Sequence, residues 1–428
     1  MGSVRNRKRQ VNGKKLLAEA MAAGQAALAE AVSQRLNELL VAAVTLLLGR
    51  EFHVRRQQVA LGEEQSGCCH HCKSHQSKRF SRNGYRPREL LTPLGWIPFF
   101  LPRVRCECGG SVSIELEGFV RPYQRISDDV DEQIRRWYRL GMSLRNIEQA
   151  LTHSWMTPLS LRTLMMRIHQ MADEVKLAPP SQVPPIVQLD AIWVTLVLPT
   201  EGKYRDRKGR QRPRVGRFRY PILVALGVWP DAECSRVLDW MFATSEDEAQ
   251  WTAFLSRLYE QGIHHEQGLQ LLIHDGGGGL CAALRTVHFA VPTQRCLFHK
   301  LRNIANAIQL PAGLSRRQRS RQRKAILKPF REIWQAKRYA TALQRYLQVV
   351  RQFRESQPDA VATLRRDFRH TVAFYSLIDS YDSRFLRTTS RLERLNRTLR
   401  TQFRKANAYH SLRGAKAAVA QQVALFNA

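Results

Sequence analysis

Acidic residues are scarce in this sequence: 36 Asp and Glu stand against 68 Lys and Arg over 428 residues, a formal charge of +32. An imbalance of that size makes a polyanion, above all nucleic acid, the first partner to consider. Long apolar runs are lacking too. The longest, Leu39 to Leu48, covers ten residues between Glu38 and Arg50. A membrane-spanning helix needs roughly 20, so this run reads as a buried helix. Glu19 and Glu30 interrupt what would be the apolar centre of a signal peptide; the chain therefore reads as soluble and intracellular, without a membrane partner. The apolar share is nonetheless 44%, enough for real cores and against disorder throughout. At roughly 150 residues per domain, the length fits about three domains.

Cysteine is sparse outside one region. Five of the eight fall within 41 residues, in Cys68-Cys69-His70-His71-Cys72 and Cys106-Glu107-Cys108. In a reducing compartment such clustering argues for metal rather than disulfides. Cys69, Cys72, Cys106 and Cys108 make a tetrahedral, structural Zn²⁺ site of the zinc-ribbon kind. The second pair has one intervening residue where ribbons usually have two, and Cys68, His70, His71 or His75 are alternative ligands. The bland alternative is a reduced, metal-free cluster. Arg82, Arg86, Arg88, Arg103 and Arg105, with Tyr85 and Trp96, would give the module a DNA-facing surface.

The order of the chain reads as a multidomain α/β protein. Residues 1–15 hold six Lys/Arg and no acid, a basic arm. An Ala/Leu-rich helical segment (16–60) and the zinc-ribbon-like module (61–120) follow. Over 121–177 the pattern is three helices. Ser127-Asp128-Asp129 starts the first, with Val130, Ile134, Trp137 and Tyr138 as its apolar face. Gly141 stops it, Ser143 caps the second, and Ser160 starts a longer basic third. This is a helix-turn-helix pattern, whose last helix would bring Arg162 and Arg167 to DNA; the alternative is an ordinary three-helix packing unit. Four prolines in Ala178 to Pro185 mark a linker. From 178 to 300, strands (Ile186 to Leu198, Tyr220 to Trp229, Ser235 to Phe242, Leu269 to His274, one near Ala290) alternate with helices, as in a mixed sheet. A helical stretch (301–385) and closing helices (386–428) complete the chain.

With so few acids, those at strand ends stand out. Asp190 interrupts an apolar strand, and Asp275 ends another just before Gly276 to Gly279. A buried carboxylate is costly unless a cation or partner compensates it, and glycines let backbone or phosphate approach. Two such acids on neighbouring strands suit divalent cations, although Asp-Gly after a strand is by itself usually a turn. Lys203 to Arg219 packs nine Lys/Arg and one Asp into 17 residues. As a hairpin beside the Asp190 strand, with Arg205, Arg207, Lys208, Arg210, Arg212 and Arg214, it would track phosphates; the plain reading is a solvated face. Cys296 and His299 are zinc-type residues, but only two ligands are evident.

The stretches Ile273-His274-Asp275-Gly276 and Gln294-Arg295-Cys296-Leu297-Phe298-His299-Lys300-Leu301-Arg302-Asn303 resemble the Mutator-type transposases of bacterial insertion sequences. So does Thr388-Thr389-Ser390-Arg391-Leu392-Glu393-Arg394-Leu395-Asn396-Arg397, in which Ser390 replaces the usual Asn and Leu392 the usual Ile. The resemblance implies an RNase H-like catalytic core with an all-helical insertion. It further implies an Asp-Asp-Glu triad of Asp190, Asp275 and Glu393 holding two Mg²⁺ ions (Mn²⁺ possible). Gly276, Cys296, His299 and Asn396 would lie near that site. The implied activity is binding of terminal inverted repeats in double-stranded DNA, then metal-dependent cleavage and strand transfer into target DNA, by a homodimer or larger assembly. Such an enzyme would be cytoplasmic and nucleoid-associated. A catalytically inactive DNA-binding derivative and an RNase H-like nuclease are the alternatives. The absence of any Ser/His/Asp constellation fits phosphoryl chemistry without a covalent protein nucleophile.

Overall fold

The structure is a computed structural model that describes residues 13–51, 68–76, 79–112, 124–155 and 159–428. The basic arm therefore lies, up to residue 12, outside the described residues, as do residues 52–67 of the segment leading to the first cysteines. The chain forms two compact units, Met1–Arg167 and Ile168–Ala428.

In the first unit, helix α1 (Gly13–Leu48) is followed by β1 (Phe80–Thr92), β2 (Gly95–Cys106) and β3 (Ser111–Val112), an antiparallel sheet in that order. Pro93 and Leu94 connect β1 to β2, and Gly95 supplies the positive φ of 101° that closes the turn. Burial alternates along β2, with Ile97, Phe99, Val104 and Cys106 inward and Trp96, Phe100, Arg103 and Arg105 outward, the period-2 pattern of a sheet with one covered face. Leu36 and Leu40 of α1 join Leu90 and Phe99, while Val44, Leu47 and Leu48 join Phe80, Val104 and Cys106. The segment expected as a buried helix is thus buried on one face only: Leu39, Val41 and Leu46 are exposed. Leu17–Leu48 is also long and apolar enough, by length and composition, to cross a membrane; its alanines meet that criterion where the uninterrupted run falls short.

Helices α2 (Asp128–Arg139), α3 (Leu144–Trp155) and α4 (Leu161–Asp173) follow. Ser127 caps α2 by accepting from the Val130 N–H, Gly141 takes a φ of 87°, and Ser143 and Ser160 accept from Asn146 and Thr163 at the next two helix starts. Val130, Ile134 and Tyr138 are buried, whereas Trp137 is only half-buried.

The second unit is built on a five-stranded mixed sheet. Its strands are β4 (Ile186–Arg205), β5 (Gln211–Trp229), β6 (Cys234–Phe242), β7 (Leu271–His274) and β8 (Thr293–Arg295), in spatial order β6-β5-β4-β7-β8. The first three are antiparallel neighbours, and β4, β7 and β8 run parallel. Both faces are covered, so apolar side chains point both ways. Val187, Leu189, Leu223 and Ala225 pack with α5 (Glu248–Glu260) and α6 (Gly278–Thr286). Ile192, Val194, Ile222 and Val224 pack with the helices that follow β8. Those are α7 (Leu297–Ala307), α8 (Arg316–Trp334), α9 (Tyr339–Phe353), α10 (Pro358–Arg365), α11 (Phe368–Thr371), α12 (Ser383–Leu386), α13 (Ser390–Ala406) and α14 (Leu412–Asn427). The expected α/β class, with a long helical stretch after the strands, is what the unit displays.

Close approach of α6 to the loop before α5 depends on Gly279. A Cβ there would lie 2.1 Å from the Glu246 carbonyl oxygen, and backbone cannot swing away as a side chain can. Gly279→Ala is expected to cost about 1–3 kcal/mol, read as a lower melting temperature.

Candidate active site

Two parallel strands place the first pair of acids. The β4–β7 register ends on Leu189 opposite His274, so the next residues out are Asp190 and Asp275, side by side where β7 ends and β4 runs on. Alternation along β4 sends Val187 and Leu189 to the α5 face, and Gln188 and Asp190 to the face covered by α13. Asp190 is 8% exposed. One carboxylate oxygen accepts from the Ala191 N–H at 2.9 Å and the other from the Asn396 amide at 2.7 Å. Burial, reinforced by the charge of Asp275, pushes the Asp190 carboxyl up to about 7.

Asp275 accepts from the Gly277 N–H at 2.9 Å, which folds the glycine loop back under the carboxylate. Gly276 has φ 85°, and a Cβ on it would fall 1.8 Å from the Arg295 guanidinium. Arg295 instead donates to the Gly276 carbonyl at 3.1 Å and reaches Asp367 at 3.4 Å. The loop bearing the second acid is thus buttressed from β8. Glu246, bonded to the Trp193 side chain, is a further acid within range of Asp275; burial first, and then that charge, raise its carboxyl.

Helix α13 is pinned to β4 by Gln188, whose amide donates to the Thr388 carbonyl at 3.0 Å and accepts from the Leu392 N–H at 3.1 Å. Glu393 and Asn396 are three residues apart on this helix and so share a face. Asn396 meets Asp190, but Glu393 faces His299, with its carboxylate 3.8 Å from Nε2. The donor atoms of Cys296, His299 and Glu393 lie within 4.8 Å of one another, and among the described residues the three acids form no such cluster. Cys296 is fully buried and accepts from both the N–H and the hydroxyl of Thr389, at 3.5 and 3.4 Å. Burial raises its thiol, but the bonds from His299 and Thr389 outweigh that and bring it below the ordinary thiol value. His299 is raised in turn, chiefly by its bond with Cys296 and further by Asp190 and Asp275. Two other residues of that block are structural: Gln294 donates to the Thr371 carbonyl and accepts from the Phe374 N–H, and buried Lys300 donates to the Arg366 carbonyl.

Sequence reasoning passed over Gln188, Glu246, Arg295 and Thr389 as site residues. A glutamine inside a run of Ile, Val and Leu is a signal that could have found the first, since a buried amide needs partners.

The Asp190 shift has a testable sign. Its folded pKa lies above the unfolded value, so the stability linked to its protonated form is full below about pH 4 and is lost as pH rises through 7. An amide at this position carries no such penalty, and the buried Asn396 Oδ1, which has no partner, can receive its N–H after the Asn396 amide turns over. Metal-free Asp190→Asn is therefore expected to be more stable than the parent at pH 8 by a few kcal/mol, the gap closing near pH 4. Equal melting temperatures at pH 8 would refute this.

In the first unit, the sulfurs of Cys69 and Cys108 are 3.5 Å apart and those of Cys72 and Cys106 3.7 Å, all four within 4.8 Å. A tetrahedron of thiolates about 2.3 Å from Zn²⁺ has edges of about 3.8 Å, so this cluster can hold zinc. Gly110 permits it, as a Cβ there would lie 2.8 Å from the Cys69 sulfur. Cys68 stays outside the cluster, directed at the Cys69 carbonyl.

The basic hairpin is present as the β4–β5 tip. Asp206 accepts from the N–H groups of Lys208 and Arg210 and from the side chains of Arg210 and Arg212; Arg205, Arg207 and Arg214 are exposed. Arg162 is exposed on α4. Arg167 instead donates from Nε to buried Asp131 at 2.9 Å, an ion pair that ties α4 to α2.

A family profile described as "Transposase, Mutator family" matches residues 54–420. The chain is similar to the transposase for insertion sequence element IS406 of Burkholderia multivorans, 28% identical over 78% of each chain. It is also similar to that for IS905 of Lactococcus lactis, 27% identical over 62% of this chain and 59% of the relative. Among solved structures, the Drosophila P element transposase strand transfer complex aligns over 73% of this chain and 80% of that one, at 10% identity and a TM-score of 0.29, too low to define the fold. The profile spans most of the sequence, including both acid-bearing strands, the Cys296–His299 block and the Glu393 helix, and on that match the chain belongs to the Mutator family of transposases.

Proposed function

We propose that the chain cuts and joins DNA at the terminal inverted repeats of its own insertion sequence, using an RNase H-like core with Asp190, Asp275 and Glu393 as its acids. The observation that carries this is the adjacency of Asp190 and Asp275 across parallel strands, beneath a helix pinned by Gln188. Three antiparallel strands followed by two parallel ones support the RNase H-like reading. A buried aspartate whose ionisation is opposed by a second aspartate is suited to a cation. Divalent cations, two Mg²⁺ or Mn²⁺ held by these acids, would supply activation of the attacking oxygen and stabilisation of the leaving one. The chain's own residues then do the positioning. Asn396 orients the Asp190 carboxylate, the Gly277 N–H and the Arg295-braced loop orient Asp275, and the β4–β5 hairpin holds backbone phosphates. Arg162 would read or track DNA from the three-helix region. We assign a structural Zn²⁺ to the four cysteines, and contact between two copies to α1, whose Leu17, Met21, Leu28 and Val32 are exposed. Such a protein works in the bacterial cytoplasm, on the nucleoid.

The test is incubation of the full chain with Mg²⁺ and duplex DNA carrying the repeats that flank its own coding sequence. Nicks at the repeat ends and joined products are expected. Binding without end-specific cleavage would leave a DNA-binding derivative instead.

A further inference from the structure

We infer that Cys296, His299 and Glu393 form a second cation site, selective for a thiophilic divalent ion such as Zn²⁺ or Co²⁺, which withholds Glu393 from the aspartates. The last clause rests on the triad proposed above; the site itself does not.

The chemistry of the donor set is the first support. One sulfur, one imidazole nitrogen and one carboxylate oxygen lie within 4.8 Å of one another, the ligand number of an open zinc site with one position left for water or substrate. Thiolate and imidazole suit Zn²⁺ and Co²⁺, whereas Mg²⁺ takes oxygen ligands. The second support is the surrounding shell. Cys296 and His299 stand three residues apart at the start of α7, on one face. Thr389 donates to the Cys296 sulfur from both its N–H and its hydroxyl, and the same residue begins the helix that carries Glu393. Outer hydrogen bonds that orient a ligand are characteristic of built metal sites. The third is the direction of Glu393. Its carboxylate is 3.8 Å from His299 Nε2, and among the described residues it forms no cluster with Asp190 and Asp275. A thiophilic ion would therefore compete with strand cleavage without displacing Mg²⁺ from the aspartates.

The test is a Co²⁺ titration of the metal-free full chain, followed by thiolate-to-cobalt charge transfer in the near ultraviolet. Two equivalents are expected: a first, strongly absorbing one at the four cysteines, and a second, weaker one with a single thiolate. Cys296→Ala should remove the second and leave the first. His299→Ala, whose side chain is partly exposed and so safer for folding, should weaken the second at least tenfold. Saturation at one equivalent in the parent chain, or a second equivalent untouched in His299→Ala, overturns the site. In the cleavage assay at fixed Mg²⁺, a second equivalent of Zn²⁺ should inhibit, and removing that ion alone should restore activity. If the parent never cleaves, the proposed activity fails while the cobalt result still decides the site.

Discussion

Asp275→Ala is expected to abolish end cleavage while leaving binding to the repeats in place. Loss of one acid from a cation site removes several kcal/mol of transition-state stabilisation, and each 1.36 kcal/mol is tenfold, so the rate should fall by about 10³-fold or more. The structural cost is smaller. The Asp275 side chain makes one described hydrogen bond, from the Gly277 N–H, a loss of about 1 kcal/mol. Asp275→Asn keeps an acceptor for that N–H and relieves the repulsion on Asp190, so it should melt no lower than the parent while cleaving no better than the alanine variant. Cleavage rates beside a gel-shift titration would separate the two effects. Persistent cleavage by Asp275→Ala would place the chemistry elsewhere.

Cys106→Ser is expected to have the largest effect on stability. Structural zinc binds with apparent free energies of about 10–16 kcal/mol, and the sheet around this cluster is a two-residue strand paired to a single hairpin. Cys106 is buried and its N–H donates to Gly110 at 2.8 Å, closing one of the two ligand loops. Metal content should fall by about one Zn²⁺ per chain. Hydrogen exchange should speed up across β1, β2 and β3 but not across the five-stranded sheet. Cys68→Ser, outside the cluster, should keep its metal. Unchanged zinc in Cys106→Ser would exclude this ligand set.

Much of the architecture was legible because its signals are local. The caps at Ser127, Ser143 and Ser160, the stop at Gly141 and the apolar strand around Asp190 each depend on neighbouring residues only. Strand length was harder to read. The β4 and β5 strands extend into a highly charged sequence that carries no period-2 burial, because the hairpin tip projects beyond the core. The strand expected near Ala290 starts instead at Thr293, since Ala290 adopts φ 57° and cannot lie in a ladder. Charge was the least legible property. Arg167 and Arg162 look alike in sequence, yet one is held by buried Asp131 and the other faces solvent. The third ligand beside Cys296 and His299 was invisible for a related reason: Glu393 is almost a hundred residues away and meets them only through tertiary structure.

Strand β4 runs from Ile186 to Arg205, paired with β5 on both sides of one irregularity between Pro199 and Lys203. At about 3.3 Å per residue, the hairpin tip stands about 50 Å from Asp190. Duplex DNA rises about 3.4 Å per base pair, so a strand that touches both would be held over about 15 base pairs. If the hairpin tracks phosphates as proposed, the ribbon would act as a ruler, and the footprint on bound DNA should extend to one side of the cut by about one and a half helical turns.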